Sequence, residues 1–121
     1  MLIILVVDDD DMSRDMLSRR LAKLGYVVIE ASNGLEAIDA ARAEKPDLIL
    51  MDVCMPRMDG IEALKQLKAD QKTARIPVIA LTALNTAADV RRAIAAGCDG
   101  YETKPVAMVK LHFKMRKLLG R

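Results

Sequence analysis

Short apolar runs alternate along this chain with longer stretches in which apolar residues recur every three or four positions. Leu2 to Val7, Tyr26 to Glu30, Leu48 to Met51, Val78 to Leu81 and Gly100 to Thr103 are the short runs. Runs of this length, rich in Val and Ile, predict strands, and those apolar throughout predict strands buried on both faces of a parallel sheet. The stretches between them predict helices. Met12 to Leu24 carries Met16, Leu17, Leu21 and Leu24 on one face, with Gly25 as its stop. Asn33 to Glu44 places Leu35, Ile38 and Ala41 at helical spacing, and Lys45-Pro46 ends it. Gly60 leads into a helix bearing Ile61, Leu64 and Leu67; after the polar loop Gln71 to Arg75, Pro77 opens the fourth strand. Thr86 to Ala96 turns Val90 and Ile94 inward before Gly97, and Val106 to Leu119 carries Leu111, Met115 and Leu118.

Strictly alternating strands and helices predict an α/β fold of the (βα)5 type, a doubly wound five-stranded parallel sheet with helices on both faces. Parallel strands all end along one edge, where open sheets of this kind bind ligands. Four runs end on polar residues: Asp8-Asp9-Asp10-Asp11, Asp52, Thr82 and Lys104-Pro105. Carboxylates, a hydroxyl and an ammonium gathered there suit a divalent metal and a transferable phosphoryl group. Each residue alone has a plainer reading. Asp10 and Asp11 suit a helix N-terminus, Thr82 a turn, Lys104 a solvated surface and Tyr101 ordinary strand packing.

Composition narrows the classes. With 121 residues the chain makes one domain with a sizeable core, and 52% apolar residues argue against disorder. A net charge of +2 implies neither nucleic acid nor membrane as partner. The late cations Lys110, Lys114, Arg116, Lys117 and Arg121 read as a solvated helix face. The first apolar run has no basic lead-in and no cleavage site, so a cytoplasmic protein is expected. Cys54 follows a strand and Cys98 precedes one; a strand of about five residues sets them ~17 Å apart, too far for a disulfide. His112, the only histidine, is expected to be partly exposed and structural.

Four motifs in order resemble the receiver domain of bacterial response regulators. They are Val6-Val7-Asp8-Asp9; Asp52-Val53-Cys54-Met55-Pro56 leading to Met58-Asp59-Gly60; Leu81-Thr82-Ala83; and Tyr101-Glu102-Thr103-Lys104-Pro105. The likeness spans essentially the whole chain, so residues 1–121 are expected to form a single receiver domain with no output domain. It implies the flavodoxin-like strand order 2-1-3-4-5, which sets the ends of strands 1 and 3 side by side. It implies Asp52 as phosphoacceptor, with Thr82 and Lys104 as its catalytic partners at the phosphoryl oxygens. Magnesium, with Mn2+ as an alternative, would be held by Asp9, Asp52 and the backbone carbonyl of Cys54, and by Asp8 through a water. Thr82 and Tyr101 would form the switch, acting on the face of helix 4, strand 5 and helix 5, and Lys104-Pro105 would be cis. The implied donor is a histidine kinase or a histidine phosphotransfer protein, and the implied reader an unknown downstream protein. The protein would be a monomer or a phosphorylation-dependent dimer. It would catalyse its own phosphorylation without being a turnover enzyme.

Elementary chemistry agrees with that set. Asp8, Asp9 and Asp52 repel one another, and a hard dication relieves the repulsion. Two positions depart from the family's usual chemistry. Cys54 and Leu84 stand where side chains flank the line of attacking water, and neither can orient that water well, so slow autodephosphorylation is expected. Cys54 also speaks against a phosphatase of the haloacid-dehalogenase type, which needs a general acid two residues after its nucleophile. Four aspartates after strand 1 speak against a flavin-binding electron carrier. An interaction domain that never turns over phosphate is a third alternative.

Overall fold

The structure of the protein is a computed structural model that describes residues 1–53, 60–83 and 87–121. Five strands, β1 (Ile3–Val7), β2 (Val27–Ala31), β3 (Leu48–Asp52), β4 (Val78–Thr82) and β5 (Gly100–Thr103), form one sheet in the order β2-β1-β3-β4-β5. Every neighbouring pair is parallel. Between and after them run α1 (Asp11–Lys23), α2 (Gly34–Glu44), α3 (Gly60–Ala69), α4 (Ala87–Ala95) and α5 (Met108–Leu119).

The two-residue period of a strand, with both faces apolar, creates two cores. Leu5, Val7, Ile49, Met51, Val78 and Ala80 face Ala37, Ile38, Ala41, Leu64, Leu67 and Ala93 from α2, α3 and α4. Their alternates Ile4, Val6, Leu48, Leu50, Ile79 and Leu81 face Leu17 and Leu21 of α1 and Leu111 and Met115 of α5. All residues of β3 and β4 are buried, whereas the edge strands β2 and β5 are only partly so. Each large aliphatic side chain buried in this way contributes ~1.5–3 kcal/mol.

Local chemistry fixes the helix ends. Asp10 caps α1 by accepting from the Met12 N–H at 3.1 Å, which gives Asp10 and Asp11 the helix-terminal role the sequence suggested. Asn33 caps α2 through the Glu36 N–H at 2.9 Å, and the Glu36 carboxylate returns to the Ser32 N–H at 2.9 Å. Gly25 follows α1 at φ +96°, a left-handed conformation that suits glycine. The last helix begins at Met108, two residues later than the periodicity predicts, after a cis Lys104–Pro105 bond.

Several apolar residues assigned to the inner faces point outward. Ile94 is 56% exposed and Ala93 and Ala96 take its place against the core. Met16, Leu24, Leu35 and Leu118 are exposed too. For Ile94 and Leu35 the reason is steric: α4 and α2 approach the core largely through alanines, so the buried stripe follows the small residues. Large aliphatics flanking that stripe remain at the surface, as many do in soluble proteins.

Gly60 ties α3 to the end of β3. A Cβ at this position would collide with the Asp52 carbonyl oxygen and Val53 Cα, both backbone atoms that cannot rotate away. Gly60→Ala should therefore cost ~1–3 kcal/mol or more, as overpacking does. A urea midpoint equal to that of the unchanged protein would contradict this close approach.

Candidate functional site

Four strand ends converge at one edge of the sheet. Asp8 follows β1, and its N–H donates to the Ala31 carbonyl at 3.1 Å, so the ladder runs one residue past the strand. Asp52 and Thr82 are the last residues of β3 and β4. Lys104 follows β5, and its N–H donates to the Thr82 carbonyl at 2.8 Å. The parallel order brings β1 and β3 side by side, and with them Asp8, Asp9 and Asp52, whose nearest carboxylate oxygens lie within 4.8 Å of one another.

Asp8 and Asp52 are buried and Asp9 is exposed. Lys104 bridges the buried pair: its Nζ is 2.7 Å from Asp8 Oδ2 and 3.2 Å from Asp52 Oδ2. Asp8 is held further by the Asp10 N–H, which donates to its Oδ1 at 3.0 Å. Burial alone would raise the pKa of Asp8. The Lys104 ammonium, the Asp10 amide and the Ser13 side chain outweigh burial, so the carboxyl sits below its ordinary value. Lys104 mirrors this: burial pulls its pKa down, but hydrogen bonding to Asp8 and the charges of Asp52 and Asp8 push it above the ordinary lysine value. Both groups are therefore ionised at neutral pH.

This donor set fits a hard divalent cation. Three carboxylates offer oxygen only, the exposed Asp9 opens the cluster to solvent, and one lysine offsets part of the negative charge. Magnesium takes few carboxylates and retains waters, which such an open group allows. Manganese shares the preference for oxygen.

Of the residues singled out from the sequence, Asp8, Asp9, Asp52, Thr82 and Lys104 meet at this edge. Tyr101 does not: it lies exposed on β5 with Lys114 Nζ 5.1 Å from its ring centre. Cys54 and Leu84 lie outside the described residues. Cys98 is a half-buried free thiol whose pKa burial pushes up. His112 is partly buried and bonds Tyr26 Oη through Nε2 at 3.0 Å, far from the carboxylates in the fold. Two participants escaped sequence reading, Ser13 and Arg14. Arg14 Nη1 donates to the Asp8 carbonyl at 2.8 Å. Its place three residues after Asp11, in the first turn of the helix that follows the acidic run, was the available signal, but one arginine on a helix looks like any solvated cation.

The family model of the response regulator receiver domain matches residues 4–116. The chain belongs to the response regulator receiver family. It is therefore a receiver domain of two-component signalling, a signalling module with the five-stranded, five-helix architecture of its relatives. The polar-differentiation response regulator DivK of Brucella anthropi is 37% identical over 117 residues, 97% of this chain and 95% of the relative. The receiver domain of the sensor histidine kinase PA1611 of Pseudomonas aeruginosa, solved with magnesium coordinated in its active site cleft, is 31% identical with a TM-score of 0.92, covering 99% of this receiver and 98% of that chain. The chemotaxis protein CheY4 of Vibrio cholerae is 30% identical with a TM-score of 0.91, covering 98% of each. Among the described residues, no helix of this receiver is long and apolar enough to cross a membrane.

Lys104 accounts for the low pKa of Asp8, and this gives a pH signature. In the protein as it stands, Asp8 stabilises the fold above the ordinary carboxylate range, and that contribution is lost as pH falls through its depressed value. Lys104 contributes below about pH 10 and loses its contribution as pH rises through its elevated value. In Lys104→Gln the strongest lowering influence on Asp8 is gone, while burial still acts to raise its pKa. Carboxyl NMR titration should then find the Asp8 pKa moved upward; an unmoved value would mean that Lys104 does not set it.

Proposed function

We propose that this receiver accepts a phosphoryl group on Asp52 from the phosphohistidine of a histidine kinase or a histidine phosphotransfer protein. One observation carries the reading: a buried carboxylate at the end of β3 stands within metal-sharing distance of two others and is held by a lysine from the end of β5. Family membership over residues 4–116 and the magnesium-bearing cleft of the PA1611 receiver support it. Residues 1–121 are read as one such domain.

Asp9 and Asp52 would hold magnesium or manganese directly and Asp8 through a water, with the backbone carbonyl of Cys54, outside the described residues, as a further ligand. The ion supplies positive charge against the phosphoryl oxygens, where transfer depends on positioning and electrostatics. An Asp52 carboxylate oxygen attacks phosphorus as the P–N bond of the phosphohistidine breaks. The bonding electron pair returns to the imidazole nitrogen, which leaves neutral because its other nitrogen carries the proton. Lys104 turns from its carboxylate partners to a phosphoryl oxygen, and the Thr82 hydroxyl donates to another. The product is an acyl phosphate, a form that activated carboxylates adopt.

Acetyl phosphate with magnesium should add the mass of one phosphate to the protein and none to Asp52→Asn or Asp52→Ala. Once donor is removed, the phosphate should persist for many minutes, because Cys54 and Leu84 lack a water-orienting group of the kind worth ~10²-fold or more. Modification of Asp52→Ala would place the nucleophile elsewhere, and loss within seconds would refute the argument from Cys54 and Leu84.

The signal would leave through α4, β5 and α5. Phosphate on Asp52 draws the Thr82 hydroxyl toward it, and Tyr101, exposed in this structure, turns into the space released. A downstream protein, or a second phosphorylated copy, reads the altered face. Nucleic acid and membrane have no part in this reading, and the cytoplasm is the proposed compartment. Such a switch is a population shift driven by contacts made only with phosphate present. Charge-assisted bonds of ~1.5–3 kcal/mol each suffice for a bias of tenfold or more. Beryllofluoride should shift amide resonances from Ala83 through Tyr101; changes confined to the Asp52 loop would exclude the route.

A further inference from the structure

Arg14 stands apart from the catalytic set yet grips the acidic loop from outside. It projects from α1, and its guanidinium makes three contacts in three directions. Nη1 donates to the Asp8 carbonyl at 2.8 Å, Nε to Glu30 Oε1 on β2 at 3.0 Å, and Nη2 to Asp11 Oδ1 at 2.6 Å. The side chain is only 16% exposed, while Asp11 is 89% and Glu30 43% exposed.

The first contact bears on the metal site. The Asp8 carbonyl belongs to the same planar peptide as the Asp9 N–H. Fixing that oxygen fixes the orientation of the whole peptide, and with it the direction in which Asp9 leaves the backbone. Asp8 needs little such help, being held by the β1 to β2 ladder, the Asp10 amide and Lys104. Asp9 is exposed on the loop. The Glu30 and Asp11 carboxylates hold the other two sides of the guanidinium, so the fork is anchored to the sheet edge and to α1 at once. They also offset its charge, which leaves geometry rather than long-range repulsion as its main effect on a bound cation.

We propose that Arg14 is a positioning residue that presents Asp9 to magnesium by clamping the Asp8–Asp9 peptide between β2 and α1. This rests on the reading of Asp9 and Asp52 as metal ligands. A lysine at this place keeps the charge but cannot supply a planar fork with donors in three directions. Arg14→Lys therefore separates the geometry of the clamp from its charge.

Titration calorimetry with magnesium chloride, on the intact protein, compares wild type, Arg14→Lys, Glu30→Gln and the double variant, with Asp52→Asn as control. We expect Arg14→Lys to weaken magnesium about fivefold or more and Glu30→Gln to weaken it less. The double variant should resemble Arg14→Lys rather than the product of the two, because one clamp is lost in both. Phosphorylation by acetyl phosphate should be slow in Arg14→Lys at limiting magnesium and return to the wild-type rate at saturation, since the chemistry is untouched once the ion is bound. An affinity within twofold of wild type in folded Arg14→Lys, or a rate defect that saturating magnesium leaves in place, overturns the assignment. Should Arg14→Lys fail to fold, Glu30→Gln decides by the same criterion, with any resolved weakening relieved at saturation as the supporting result and no weakening as the opposing one. If wild type and Asp52→Asn bind magnesium equally, the failure lies with the metal reading itself and not with Arg14.

Discussion

Mutual repulsion among carboxylates governs the edge of this sheet. Asp8 and Asp52 are both buried, and two like charges about 5 Å apart repel by roughly 3 kcal/mol at the effective dielectric of a protein. Folding must place them there all the same, because Asp8 directly follows β1 and Asp52 ends β3, strands whose other residues form the core. Lys104 makes the arrangement tenable by bonding both. The result is a site that is satisfied yet still negative, and so open to further positive charge or to a group that takes one of the carboxylates as its own.

That lysine is placed by the sheet rather than by its own helix or loop. Its N–H continues the ladder from β5 to β4 through the Thr82 carbonyl, and its ammonium then reaches across β4 toward β3 and β1. Gly60 does comparable work from the opposite side of Asp52, bringing α3 against the end of β3 where no side chain fits. Arg14 fixes the outer margin through the Asp8 carbonyl. Backbone contacts from several elements thus define where the carboxylates sit, which is how a site can be held closely without rigid ligands of its own.

The same economy appears away from the site. Lys68, on α3, donates to the Ala74 and Ile76 carbonyls and to Asp99, and Asp99 in turn accepts from the Val78 N–H. The loop that precedes β4 is therefore tied to the one that precedes β5. This half-buried lysine carries no recognisable motif; only the packing of α3 against the start of two strands gives it three acceptors.

By itself, the chain determined the alternation of strands and helices, since buried strands need apolar runs and helices need periodic ones. It also determined which residues would gather at the edge, because parallel strands bring their last residues together and Asp8, Asp9, Asp52, Thr82 and Lys104 all stand at strand ends. The helix-terminal place of Asp10 and Asp11 was legible because it depends only on neighbours in sequence, although the hydrogen bonds by which Asp10 and Asn33 cap their helices became visible only in the structure. Tertiary structure decided what depends on distance between elements. Ile94 and Leu35 face solvent because α4 and α2 pack closely through alanines, a choice that no single helix's periodicity contains. Arg14 and Lys68 took their roles from acceptors on other elements, and Lys104 its bridge between Asp8 and Asp52 from the final strand order. Local propensity acts within a few residues, whereas these interactions join groups as much as 96 residues apart in sequence and exist only once the sheet is assembled.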